Sequence, residues 1–363
     1  MDRLKQDLLD LMRVPGLAGH EGRVRQALAE RLQGLGVKAT TDRMGNLFAS
    51  FDGDGPKVLV FAHMDQLGFV VRRIEPEGLL RLERLGGVPE RALAGQEILV
   101  YGQRGLNVPG VIANKSHHAT APDEKYRVLP YAEVFVDAGF ASAAEAEAAG
   151  VQIGAPVVYA PAAQEVAQGR VLGTSVDDRA GCAVLLELAR RLKARTGGPP
   201  VHLAFTVQEE FNLRGAQTLA QRLEPDIAIQ LDLMLATDTP DMAARGDMVL
   251  GGGPGMSLYS FHGRGTLNGV IPHPALVELI ESTARQADIP LQRSAQTGIL
   301  TDLSYVQFAG DGVACIDLGF PMRYSHSARE MCDLGDLAAL TGLLDAALAR
   351  IGPGFSLDRD RFI

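Results

Sequence analysis

The chain has 363 residues, enough for one large domain or two of ordinary size. With 46% apolar and 22% charged residues it has the composition of a folded globular protein, and its net charge of -9, with no basic run, argues against nucleic-acid binding. Cys182, Cys315 and Cys332 are too few and too scattered for a disulfide framework or a cysteine-based zinc site, and predict reduced thiols in a cytoplasmic protein.

Leu4, Leu8, Leu9 and Met12 recur at helical spacing over residues 2–12, and Pro15-Gly16 ends that element. The charged, amphipathic start is unlike a signal peptide, and no apolar run is long enough to span a membrane. A second helix is expected at about 21–34, with Val24, Leu28 and Leu32 on one face and Gly34 and Gly36 as stop signals. Strands follow at 46–51 and 57–62. From about 69 to 160 the segments become short, β-rich and punctuated by Gly and Pro, which predicts a small barrel or sandwich interrupted by a helix at 141–149. An α/β rhythm then returns. A helix is expected over 178–195, with Val184, Leu185, Leu188 and Leu192 inward. The runs 201–207 and 226–232 read as strands buried on both faces. Helix 274–287, strand 312–318 and helix 334–351 complete the pattern, an α/β domain with a β-rich insertion.

Ligand-type residues cluster where the apolar strands end. His63 and Asp65 follow the first, Glu209-Glu210 the second, Asp232 the third, and His326 lies one short loop beyond the fourth. In open α/β sheets the carboxyl ends of the strands form the binding crevice, so these residues are expected to converge. Asp177-Asp178 precedes a helix, whose N-terminus favours ionised carboxylates able to bridge two cations. Two histidines with several carboxylates and no cysteine suit zinc, cobalt or manganese at a hydrolytic centre. Two metals can clamp a water and polarise a carbonyl, while one carboxylate stays off the metals to take the proton. Glu209 and Glu210 can divide those tasks, and Asp65 can orient His63 through its other ring nitrogen. Each motif alone has a bland reading: a solvated Glu-Glu pair, a helix-capping Asp-Asp or a polar loop histidine. Jointly they are costly to bury without metal.

The segments AHMDQLGFVV (62–71), SVDDRAG (175–181), TVQEE (206–210), LDL (231–233) and RYSHSARE (323–330) resemble the M42 family of metallo-aminopeptidases, and weaker likeness extends over nearly the whole chain. The resemblance implies a zinc-peptidase (phosphorylase/hydrolase-like) three-layer α/β domain formed by 1–68 and 162–363, with a PDZ-like β-barrel inserted over 69–161 for oligomerisation. It implies two divalent metals, zinc foremost, with His63 and Asp232 on one, Glu210 and His326 on the other, and Asp177 bridging. Glu209 is then the general base and Asp65 the support of His63. The implied partners are peptide substrates and further copies of the chain, up to a tetrahedral dodecamer. The segment after Asp232, LMLATDTPD, and the insertion segment NKSHHAT depart from the common family pattern. His117 or His118 is a candidate to reach a neighbouring subunit's site, whereas His20, His202, His262 and His273 read as structural.

The implied activity is hydrolysis of N-terminal residues from peptides. The same ligands suit a carboxypeptidase or an N-acyl amino-acid deacylase, and paired carboxylates suit a glycosidase. A catalytically silent metal-binding assembly protein is disfavoured by the intact Glu209-Glu210 pair. Residues 250–270 and 294–303 are expected to line the substrate pocket, and Arg264, Arg293 and Arg323 are candidates for selecting an acidic N-terminal residue.

Overall fold

Continuous apolar runs dictate the centre of the molecule. In the computed structural model, which describes residues 1–102, 105–263 and 268–362, the chain begins with α1 (Asp2–Met12), α2 (Gly22–Gly34), β1 (Ala39–Thr41), β2 (Leu47–Phe51) and β3 (Val58–His63). Then come β4 (Gly68–Ile74), β5 (Leu80–Leu85), β6 (Glu97–Tyr101), β7 (Asn107–Ile112), β8 (Phe135–Asp137), α3 (Ala143–Ala148) and β9 (Pro156–Tyr159). The remainder is β10 (Ala163–Val166), β11 (Arg170–Gly173), α4 (Val176–Ala194), β12 (Val201–Thr206), α5 (Gly215–Leu223), β13 (Ile227–Leu235), β14 (Gly255–Phe261) and β15 (Gly269–Val270). It closes with α6 (Pro274–Gln286), β16 (Gln292–Thr297), α7 (Leu303–Val306), β17 (Ala314–Met322), β18 (Glu330–Asp333) and α8 (Leu334–Leu348).

Nine strands form one mixed sheet in the order β1-β2-β12-β3-β13-β17-β14-β15, with β16 also paired to β14. Its centre, β12-β3-β13-β17, is parallel. In β3, Val58 and Val60 face α1, α2, α4, α6 and α8, while Leu59 and Phe61 face α5 and α7. Helices thus cover both faces, giving three layers, and this is why β3 is apolar at every position from Val58 to Ala62. Each fully buried Leu, Ile or Val contributes roughly 1.5–3 kcal/mol of burial energy. Helix α4 lies deepest, between the sheet and α1 and α8, and is buried nearly all round.

The stretch between β3 and β10 leaves the sheet and closes into an antiparallel barrel, β4-β5-β8-β7-β6-β9. Phe69, Val71, Leu80, Leu82, Val100, Val136 and Val157 fill it. Closure leaves no long free edge to recruit another strand. The barrel is seated on the large sheet's layer by specific contacts: the Leu17 amide donates to Tyr101 Oη at 2.6 Å, and Arg23 lies 5.1 Å above the Tyr101 ring.

Two differences from the sequence-based expectation matter for the site. Strand β16 occupies a polar stretch, QRSAQT, with no apolar run to announce it; it is an edge strand burying only Ser294 and Gln296. Strands β13 and β17 also run further than expected, pairing Asp232 with Gly319 through Leu235 with Met322. Gly319 permits this, because a Cβ there would collide with the Asp232 carbonyl. Among the described residues, no helix is long and apolar enough to cross a membrane.

Candidate metal and catalytic centre

The parallel register brings the strand ends level. Thr206 of β12 pairs with His63 of β3, so Glu209 and Glu210, three and four residues further on, arrive beside His63. Asp232 lies on β13, and His326 follows β17 in a turn where it adopts φ 67°. Asp177 enters from the start of α4, after Ser175 at φ 59° and through a cis peptide to Asp178. His63 Nε2 lies 3.0 Å from Asp177 Oδ1, and His326 Nε2 lies 3.5 Å from Asp177 Oδ2 and 4.0 Å from Glu210 Oε2. Two triads therefore share one residue: His63, Asp177 and Asp232, and Asp177, Glu210 and His326, each with donor atoms within 4.8 Å of one another.

The electrostatics describe a centre short of positive charge. Burial pushes the Glu210 carboxyl up to about 7, with Asp177 adding and His326 opposing. Burial likewise drives Glu209 and Asp232 well above the carboxylate range, reinforced by neighbouring carboxylates. Burial works against protonation of His63 and His326, yet the surrounding carboxylates overcome it and raise His63 well above its usual value and His326 to about 9. Buried Glu210 Oε1 has no hydrogen-bond partner among the described residues. Divalent cations relieve this excess of negative charge, and the donor set, imidazole and carboxylate without thiolate, matches zinc, cobalt or manganese.

The segments that bear the candidate ligands are tied down from behind. Asp65 accepts the backbone amides of Glu209 and Glu210 at 3.0 and 3.1 Å; its oxygen lies 3.6 Å from His63 Nδ1, beyond hydrogen-bond distance. Glu330 was not singled out from sequence. It accepts the Asp177 amide through one oxygen (3.1 Å) and the His326 amide through the other (2.8 Å), joining the two segments. Arg179, fully buried, donates to the carbonyls of Leu11, Val14 and Met64. The barrel contributes too: the Gly87 carbonyl sits 2.9 Å from His326 Nδ1, which leaves Nε2 facing Asp177 and Glu210. The position of Glu330 within RYSHSARE and of Arg179 within SVDDRAG was visible in sequence. Gly87 carried no sequence signal, because it acts through its backbone.

A cavity of about 540 Å³ opens over the centre. His63, Asp177, Glu209, Glu210, Asp232 and His326 form one wall, and His262, Gly298, Ile299 and Leu300 come from the two segments expected to line it. His262, expected to be structural, is thus exposed in the cavity wall, whereas buried His273 caps α6 by accepting the Ala275 amide. His117 and His118 are exposed on the barrel and do not line this cavity. Arg323 is engaged in a bidentate pair with Asp238, 2.7 Å at each nitrogen, and Arg293 pairs with Glu281 beside a separate cleft. Arg264 lies outside the described residues.

The sequence matches the family of M42 glutamyl aminopeptidases over residues 45–343. The chain belongs to the M42 family. It is 30% identical over 345 residues to the lysyl aminopeptidase of Pyrococcus furiosus, covering 93% of this chain and 95% of that one. This M42 chain superposes on the aminopeptidase APDkam598 from Desulfurococcus kamchatkensis with a TM-score of 0.90 and 31% identity, covering 98% and 96% of the two chains. The TET1 peptidase of Pyrococcus horikoshii, which can assemble into a tetrahedron or a large octahedral shell, gives 0.85 and 28%, covering 96% and 99%. M42 members are metal-dependent aminopeptidases, and that places this chain among the hydrolases of peptide N-termini.

Proposed function

We propose that this M42 aminopeptidase works with two divalent cations, zinc in the first place, one held by His63 and Asp232, the other by Glu210 and His326, with Asp177 shared. The observation that carries this reading is the pair of triads meeting at Asp177. Two cations held by these residues would supply Lewis acidity for activating water and polarising the scissile carbonyl.

The chain's own residues do the rest. Glu209 belongs to neither triad yet lines the same cavity, and its buried carboxyl has a raised affinity for protons. It takes the proton from water and delivers it to the departing amine. Asp65 holds the Glu209-Glu210 backbone, so the base and its neighbouring ligand keep a fixed spacing. The Gly87 carbonyl holds His326 in the tautomer whose Nε2 lone pair is available.

The deciding variant is Glu209→Gln. It is expected to keep both metals, measured by plasma mass spectrometry, while kcat falls by about 10²–10⁴-fold. Near-normal turnover would remove Glu209 from the mechanism. Asp177→Ala is expected to lose metal, and an unchanged metal count would reject the shared ligand. N-terminal acetylation should abolish cleavage, which separates this activity from deacylation and carboxypeptidase action.

The barrel is proposed as the surface through which copies associate; the shells that the Pyrococcus horikoshii relative can form support association itself. Native mass spectrometry should find an oligomer, with twelve subunits the leading expectation. A cytoplasmic setting fits three buried, unpaired thiols.

A further inference from the structure

Away from the ligand cluster the cavity changes chemistry. Leu213, Leu233, Leu235, Ile299 and Leu300 also line it. They arrive from three places: the loop after β12, the end of β13 beyond Asp232, and the segment after β16. Leu233 and Leu235 are two residues apart on one strand and so share a face. The extension of β13 alongside β17 past Asp232 is what carries Leu235 to the cavity.

Polar groups also line the cavity, among them Asn212, His262 and Ser325. The carboxylates among the described lining residues are Asp177, Glu209, Glu210 and Asp232, all of the centre itself, and no lysine or arginine is among them. Arg323 is held by Asp238, and Arg293 lies at another cleft. A glutamate side chain entering beside the leucines would shed its hydration shell and meet no lysine or arginine among the described lining residues. A lysine ammonium would meet aliphatic carbon. A leucine, isoleucine or methionine side chain would trade water for carbon contact over its whole length.

We propose that this enzyme selects peptides whose N-terminal residue carries an uncharged aliphatic side chain, and that Leu233, Leu235, Ile299 and Leu300 are the selecting surface. This rests on the aminopeptidase reading above and narrows it. It also separates the chain from the glutamyl and lysyl specificities that its family and its Pyrococcus furiosus relative are named for.

The test uses the full chain loaded with zinc or cobalt and the p-nitroanilides of leucine, alanine, glutamate and lysine. kcat/KM for leucine should exceed each of the others by about tenfold or more, the discrimination an apolar pocket gives per methylene. A fastest rate on the glutamate or lysine derivative overturns the specificity and leaves the aminopeptidase reading standing. Cleavage of none of them by metal-loaded protein overturns both. In Leu235→Ala and, separately, Ile299→Ala, the leucine-to-alanine ratio of kcat/KM should fall at least about fivefold, within the range for lost apolar contact. Loss of metal affinity or folding alone would lower both rates together. An unchanged ratio in both variants therefore overturns the assignment of these side chains.

Discussion

Gly87 shows how a residue with no side chain can govern the orientation of a candidate metal-binding histidine. A Cβ at this position would stand 2.9 Å from His326 Nδ1, so the ring must move and lose its bond to the carbonyl. Gly87→Ala is expected to weaken one of the two metal positions, the Glu210–His326 one, by roughly 10–100-fold, the usual cost of removing a ligand's outer support. Metal stoichiometry against a competing chelator should show one equivalent lost before the other. Asp317 offers a second test. It is buried in the middle of β17, and burial pushes its carboxyl up to about 7. An acid with a raised folded pKa binds its proton more tightly when folded, so stability is highest below the unfolded value and falls as pH rises towards the folded one. Asp317→Asn removes that penalty, and its stability gain over the parent should grow by about 2–3 kcal/mol between pH 5 and 8. Parallel urea titrations of the two proteins check this; a constant difference would mean that Asp317 does not titrate over that range. At this scale, residue type at or just beyond a strand end was enough to nominate His63, Asp65, Glu209, Glu210, Asp232 and His326, and position before a helix to nominate Asp177. It could not nominate Gly87, whose contribution is a carbonyl, nor free His262 from a structural reading, since only folding sets it in the cavity wall.

The end of β3 with the loop that follows it and the start of α4 carry three of the site's groups, His63, Asp65 and Asp177, and Arg179 joins these two segments to the end of α1. Its guanidinium is buried against backbone carbonyls, so Arg179→Met leaves several acceptors without donors. A loss of about 3–5 kcal/mol is expected, in line with breaking a buried charged network. Metal affinity should fall with it, because His63 sits on the tethered strand. Urea midpoints of metal-loaded protein read the first effect and chelator competition the second; an unchanged midpoint would show the tether to be dispensable. Elements whose apolar positions repeat, such as α2, α4 and the central strands, were legible to within a few residues. Strand β16 was not, since a polar edge strand owes its conformation to the neighbour it pairs with. The extra turns of ladder at the ends of β13 and β17 were hidden for the same reason, for each strand's final residues are held by the other.

In the whole molecule, a negatively charged centre is enclosed by a sheet, a helix start and the barrel, and cations bound there act on all three. Chelator treatment should abolish activity and also lower the thermal midpoint by several degrees, because a ligand bound only to the folded state stabilises it by mass action. Restoring zinc should recover both; recovery of neither would point to irreversible collapse of the acidic cluster, and an unshifted midpoint would deny the coupling. The amino-acid sequence by itself determined the alternation of α/β and β-rich segments, the residue types at the strand ends and the likeness to one peptidase family, because hydrophobic period and ligand chemistry are local properties. The meeting of two triads at Asp177, the backbone carbonyl that orients His326 and the aliphatic residues brought into the cavity lining were decided only by tertiary structure. Each depends on segments far apart in the chain that pairing and packing bring within a few ångströms.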